Sequence, residues 1–299
     1  MQAPSSPRWD SVSADRQGVR DFSSQMKLDE KGVELLRRFF VQAYRADVTP
    51  ANKTVQLRGV DICVKVPGRA NRAGPVGVDI KGDGTTSGNL TLEICSQDRP
   101  NSKRPIPAPG WLFKDMPFVA YCFLRTGDLL MLDMPLLTPW VRAHLERLVQ
   151  SQADHEPAPR LTPGTWVTAT PNAGYLSYNF VLPIADLVRE APGVTCFNLV
   201  DFLGVDVYRE IMGTLPEKRL IHTPVNTLEA FEHLGQRLLE QACYDIKPQL
   251  PPEDTERVLR WMEQVVRFSS RPGVKEAGEA LKASRPHLAL PEDAVAELA

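Results

Sequence analysis

Two short segments hold the residues whose types and spacing suit chemistry. They are Gly-Val-Asp-Ile-Cys at 59–63 and Gly-Val-Asp-Ile-Lys-Gly at 77–82. Each reads as a small turn residue followed by a strand that carries a carboxylate. Strand side chains alternate faces, so Asp79 and Lys81 project from the same side. If the two strands are neighbours, Asp61, Asp79 and Lys81 converge on one patch. Two carboxylates hold a hard divalent cation such as Mg²⁺ or Mn²⁺, and an ammonium stabilises a phosphate or positions a water. That set is the minimum for metal-dependent phosphodiester hydrolysis. Asp after a Val-rich strand is common, however, and Asp-x-Lys arises by chance in most chains of this size, so the spacing needs support from elsewhere.

Support comes from a resemblance. Residues 56–133 resemble the PD-(D/E)XK nuclease superfamily, in the form seen in phage-type, Holliday-junction-resolvase-like and restriction-like proteins. That pattern has a lone Asp on one strand, a gap of variable length, and Asp/Glu-x-Lys on the next. Asp61 takes the first place and Asp79-Ile80-Lys81 the triplet, with seventeen residues between the two acids. The segment Ser87-Gly88-Asn89-Leu90-Thr91-Leu92-Glu93-Ile94 is similar to the TGN-x-x-x-E stretch of phage-type relatives. Gly110-Trp111-Leu112 and an alternating run at 118–123 follow it.

The resemblance implies a mixed central sheet flanked by helices and a nuclease acting on DNA. It implies Mg²⁺ or Mn²⁺ held by Asp61, Asp79 and the carbonyl of Ile80. Lys81 then orients the attacking water or neutralises charge growing in the transition state. A helix before the first core strand often carries a further acid in such proteins, and Glu34 is the candidate; its other reading is an ordinary solvent-facing helix Glu. Glu93 is a supporting or metal-adjacent acid. A second alignment takes Asp79 as the first acid and Glu93-Ile94-Cys95 as the triplet, but a neutral thiol at Cys95 supplies no positive charge. The Asp79–Lys81 alignment supplies every charge and is preferred. Homodimers are common among these nucleases, which leaves a dimer open here.

Charge is distributed to match. The chain of 299 residues carries a formal charge of −2, against a protein that coats nucleic acid by charge alone. Between 51 and 115, ten Lys and Arg face six Asp and Glu, so that segment is +4 and the remainder −6. The excess lies around the two acids, and Arg58, Lys65, Arg69 and Arg72 are the candidate phosphate contacts. A solvated loop would carry the same residues.

Composition is that of an ordinary globular chain, with 42% hydrophobic and 24% charged residues. No apolar run is long enough to cross a bilayer, so no membrane partner is expected. The N-terminus lacks the order of a secretion signal, and a cytoplasmic location is the simplest expectation. Five scattered cysteines show neither zinc spacing nor a disulfide framework.

The elements that must position the acids read as follows. An irregular lead-in occupies 1–25. A helix over 27–44 carries an apolar stripe with Leu35, Leu36, Phe39 and Phe40. Strands are expected at 54–66, 76–80, 90–95, 118–125 and 129–134, the last two joined by a tight turn at Thr126-Gly127-Asp128. A short helix starts at Pro139, a linker or inserted loop covers 151–164, and strands follow at 165–169 and 175–182. In the last of these, Tyr175, Ser177 and Asn179 alternate with apolar neighbours. The α/β domain is expected over 26–192, and a mostly helical accessory region over 193–299. That region has helices at 201–212, 227–244 and 254–268, with Thr227 as an N-cap. It carries no catalytic motif and suits contact with a partner protein, a second copy or DNA. Two further readings stand beside the nuclease: a nuclease-fold module that binds nucleic acid without cutting, and an interaction protein built on an α/β scaffold.

Overall fold

A computed structural model describes residues 22–56, 59–67, 74–98, 108–114, 116–153, 166–171 and 175–241. The protein is mixed α/β. A central sheet of six strands runs in the order β1-β2-β3-β6-β7-β10, and a second sheet of four strands runs β5-β4-β9-β8.

Helix α1 (Phe22–Tyr44) leads into β1 (Asp47–Pro50), α2 (Lys53–Gln56), β2 (Ile62–Lys65) and β3 (Val76–Asp83). β1, β2 and β3 pair antiparallel in succession. The chain then leaves the first sheet. β4 (Asn89–Asp98) and the two-residue β5 (Ala108–Pro109) belong to the second, and a 3-10 turn at Trp111–Phe113 leads back. β6 (Phe118–Phe123) lies parallel to β3, and β7 (Asp128–Asp133) is antiparallel to β6. Helix α3 (Met134–Ala153) follows. β8 (Trp166–Pro171) and β9 (Tyr175–Pro183) complete the second sheet, and α4 (Ile184–Glu190) leads to β10 (Val194–Asn198), which pairs with β7. Helices α5 (Leu199–Leu203), α6 (Val205–Met212) and α7 (Leu228–Gln241) end the described chain.

Period-2 alternation divides the central sheet into two cores. Ile62, Val64, Val78, Ile80, Ala120 and Met131 pack against Leu35, Leu36, Phe39 and Phe40 of α1 and against α5, α6 and α7. On the other face Val119, Tyr121, Phe123, Leu130 and Leu132 meet Leu90, Leu92 and Ile94 of β4, Phe180 and Leu182 of β9, and helices α3 and α4. Among the described residues Cys63, Cys122 and Cys196 are free thiols.

Several sequence expectations are corrected. Residues 54–56 are helical, not the start of a strand. Asn52 begins that turn, its side chain and carbonyl both accepting from the Val55 amide, which outweighs the β-branched character of Thr54 and Val55. β1 lies between the helix expected over 27–44 and the strand expected from 54, where no element was expected; Pro50 fits there because β1 is an edge strand that needs no donor on its outer side. The helix expected from Pro139 begins five residues earlier, directly after β7, and runs into the expected linker; Pro135 occupies its first turn and Pro139 lies inside it. The helix expected over 201–212 is two, divided at Gly204 with φ +92°. β10 lies beyond residue 192, so the central sheet extends into the region read as helical accessory. The helix expected at 254–268 lies outside the described residues.

Candidate metal and phosphate site

Asp61 and Asp79 are brought together by the pairing of β2 with β3. Gly59 takes φ +93°, a backbone conformation open to glycine, and turns the chain into Val60 and Asp61. The Asp61 amide donates to the Val78 carbonyl at 3.0 Å. Its carboxylate Oδ2 accepts from the Ile80 amide at 2.7 Å. Asp61 therefore stands at the mouth of β2 and reaches across to β3. A strand residue's N–H and C=O point to the same neighbour, so the Ile80 carbonyl also projects on the Asp61 side. Gly77, expected as a turn residue, lies instead within β3, where a Cβ would come 2.9 Å from the Val60 side chain. It lets the two strands close up beside the acids.

On β3, Val78 and Ile80 enter the helical core. Asp79, Lys81 and Asp83 take the other face, in register with Val119, Tyr121 and Phe123 of β6. The polar row thus continues the inter-sheet apolar surface one strand outward. Asp79 is 1% exposed. Lys81 Nζ donates to Asp79 Oδ1 at 2.9 Å and lies 2.8 Å from Oδ2 without hydrogen-bond alignment, so Oδ2 is buried with an ion-pair contact and no hydrogen bond.

The electrostatics follow from burial. Desolvation pushes the Asp79 carboxyl up to about 7; the Lys81 ammonium opposes it, and the charge of the Asp61 carboxyl adds to it. For Lys81, burial pulls downward and the charges of Asp79, Asp61 and Glu93 outweigh it, so the ammonium is held firmly protonated.

Glu93 lies on β4 opposite Asn179 of β9, beside a bulge at Ile94. Ser177 Oγ donates to its Oε1 at 2.9 Å. Ser177 and Asn179 are both buried, and Asn179 Nδ2 donates to the Ser177 carbonyl at 3.2 Å. Their alternation was legible in the sequence, but a role beside Glu93 was not. Asp83 was missed altogether. It is buried and accepts from the Tyr121 hydroxyl at 2.9 Å and from the Thr85 amide at 2.7 Å. The pattern Asp-x-Lys-x-Asp at 79–83 was the available signal.

Glu34 is not brought to this group. It sits on α1, which packs on the opposite face of the sheet, and it is bound by Arg37 and Arg38 on its own helix at 2.8–2.9 Å. Chiefly the Arg37 hydrogen bond holds its carboxyl down at about 2. The solvent-facing helix reading is the one that fits. Lys65 is exposed at the far end of β2, about 13 Å of strand from Asp61. Arg58, Arg69 and Arg72 lie outside the described residues. Ser87 and Gly88 form a bend that Asn89 closes onto Ser87.

The donors suit a hard cation: two carboxylates on paired strands, a carbonyl on the same side, and a buried carboxylate oxygen that lacks a hydrogen bond. Among the described residues no group of three or more His, Cys, Asp or Glu is arranged to hold a metal. Nor is any helix among them long and apolar enough to cross a membrane. No family model, no curated protein and no solved structure matches this chain.

Proposed function

We propose that the protein is a metal-dependent DNA nuclease of the PD-(D/E)XK type. One observation carries this reading: Asp61, Asp79 and Lys81, eighteen and two residues apart in sequence, meet at one point on adjacent strands, with the central acid buried. Burying the Asp79 carboxylate beside a second acid is costly unless a cation compensates it. A core that merely needed stability would place apolar residues there.

Asp61, Asp79 and the Ile80 carbonyl would hold Mg²⁺ or Mn²⁺, which supplies Lewis acidity toward a phosphate oxygen and lowers the pKa of a bound water. Lys81 provides a mobile positive charge at the edge of the site, where negative charge grows on the phosphate in the transition state. The Ile80 amide fixes the Asp61 carboxylate so that its other oxygen stays turned to the ligand. An α1 helix ahead of the acid-bearing strands agrees with the resemblance. Mg²⁺ or Mn²⁺ is the cofactor and DNA the substrate in this reading, and a protein partner or second copy remains the reading for the C-terminal helical region over 193–299.

The test is cleavage of single- and double-stranded DNA with Mg²⁺ or Mn²⁺ by the wild type, Asp79→Ala and Lys81→Ala. Metal-dependent cutting that both substitutions reduce by about 10³-fold, the scale of a lost electrostatic group, supports the assignment. DNA binding without cutting would replace it with the silent binding module. Neither binding nor cutting would favour an interaction protein.

A further inference from the structure

Lys114 brings a second ammonium to the head of β2. It follows the 3-10 turn at Trp111–Phe113, on the chain that leads into β6, the strand beside β3. Its amide donates to the Trp111 carbonyl at 3.3 Å, and its carbonyl accepts from the Met116 amide at 2.9 Å. Trp111, Leu112 and Met116 are buried in the inter-sheet core, so the backbone at Lys114 is anchored on the face that carries Asp79. A Cβ on Gly59 would lie 3.2 Å from Lys114 Cδ, 3.3 Å from its Nζ and 3.2 Å from Met116 Sδ. The end of the lysine stem therefore rests against the bare Gly59 backbone, and a side chain there would crowd it.

Gly59 is two residues before Asp61, which puts the Lys114 Nζ within roughly 12 Å of the Asp61 Cα. Lys81 is taken by Asp79. Lys114 is not taken: among the described residues its ammonium has neither an ion-pair nor a hydrogen-bond partner. Ordering a lysine stem costs rotamer entropy, and the contact with Gly59 removes part of that cost before an anion arrives. A half-buried, placed and uncompensated ammonium beside two acids suits a ligand that brings its own negative charge.

Resting on the nuclease reading above, we propose that Lys114 binds a neighbouring phosphate of the DNA strand whose scissile phosphate lies at Asp61 and Asp79. The span from Asp61 is one over which a bound strand presents its next phosphates. The ammonium is a point charge that accepts a phosphate from several directions. The contact is to the DNA backbone, so it fixes where the strand lies without reading sequence. Lys114 is thus a substrate-binding residue, while Lys81 stays with the acids.

The experiment is DNA binding by the full chain, followed by fluorescence anisotropy from about 50 to about 200 mM KCl. Ca²⁺, a hard cation that also takes oxygen ligands, replaces Mg²⁺. Lys114→Met keeps the apolar stem and removes the charge. It should weaken binding several-fold and lower the slope of log K against log salt by about 0.9 on duplex and about 0.7 on single-stranded DNA. Lys114→Gln should do the same and serves if Lys114→Met does not fold, and Lys114→Arg should keep the slope. Lys218→Met is the control. Lys218 is exposed next to Glu217, whose amide bonds to the Arg125 carbonyl just past the opposite end of β6, and its loss should leave the slope unchanged. An unchanged slope in both Lys114→Met and Lys114→Gln overturns the contact, while the nuclease reading still rests on cleavage by the wild type. An equal fall in Lys218→Met also overturns the contact, since net charge alone would then explain it. A wild type that binds DNA without cutting it removes the nuclease reading, and the slopes still decide the contact. A wild type that binds no DNA overturns both.

Discussion

Asp79 is a buried acid in the central sheet. Its carboxyl is 1% exposed and pushed up to about 7, chiefly by desolvation. The folded state therefore binds more protons than the unfolded chain between the ordinary carboxylate range and about pH 7. In that window stability falls as pH rises, and the penalty is complete above it. Asp79→Asn cannot ionise and escapes it. The variant should gain on the order of 2 kcal/mol over the wild type at pH 8, with the difference shrinking toward pH 5. Thermal unfolding of both proteins across pH 5–8, without divalent ions, reads this directly. A difference that stays flat with pH would mean that Lys81 holds Asp79 ionised throughout.

At the scale of elements, the departure of β4 from the central sheet is what places Glu93. A Cβ at Gly110 would lie 2.2 Å from the Glu93 carbonyl oxygen and 2.7 Å from the Ile94 carbonyl carbon. The Gly110 amide donates to the Ile94 carbonyl at 2.8 Å. The turn before Trp111 thus presses on the bulge that aims Glu93, and only glycine fits. Gly110→Ala should cost about 3 kcal/mol, the upper end for overpacking, because backbone must move. Its unfolding midpoint should drop while Asp61 and Asp79 stay in place. A substitution tolerated without loss would show that the bulge is free to shift. At the start of α7, Thr227 Oγ1 accepts from the Ala230 amide at 3.1 Å, the capping contact expected there. Thr227→Ala should cost about 1 kcal/mol in the same assay.

At the scale of the molecule, the central sheet needs the chain beyond residue 192. β10 covers the outer edge of β7, and Phe197, Leu199, Leu203, Tyr208, Leu234 and Leu238 close the helical core. A chain ending at 192 would expose β7 as an edge and strip that core, so it should be unfolded or aggregate, as judged by circular dichroism and gel filtration. The folded unit then extends at least through α7. Arg237 of α7 reinforces this by donating to buried Asp133 at the end of β7 at 2.6 Å. Arg237→Ala should cost about 3 kcal/mol, because it strands a buried carboxylate.

The sequence by itself determined what depends on near neighbours. The shared face of Asp79 and Lys81 follows from strand period, and the β6–β7 hairpin from Gly127, which takes φ +76°. The apolar stripe of α1 and the Thr227 cap are equally local. The meeting of Asp61 with Asp79 needed the additional fact that β2 and β3 pair. Tertiary structure alone decided which distant strands lie side by side. β4 pairs with β9, so Ser177 meets Glu93 across 84 residues. β10 joins β7, and Glu34 falls on the face away from the acids. A chain pattern states which face of a strand is polar, but not which other polar face will be buried against it. That choice belongs to the packing of the two cores, in which each buried charge finds the partner that the burial of its neighbours leaves within reach.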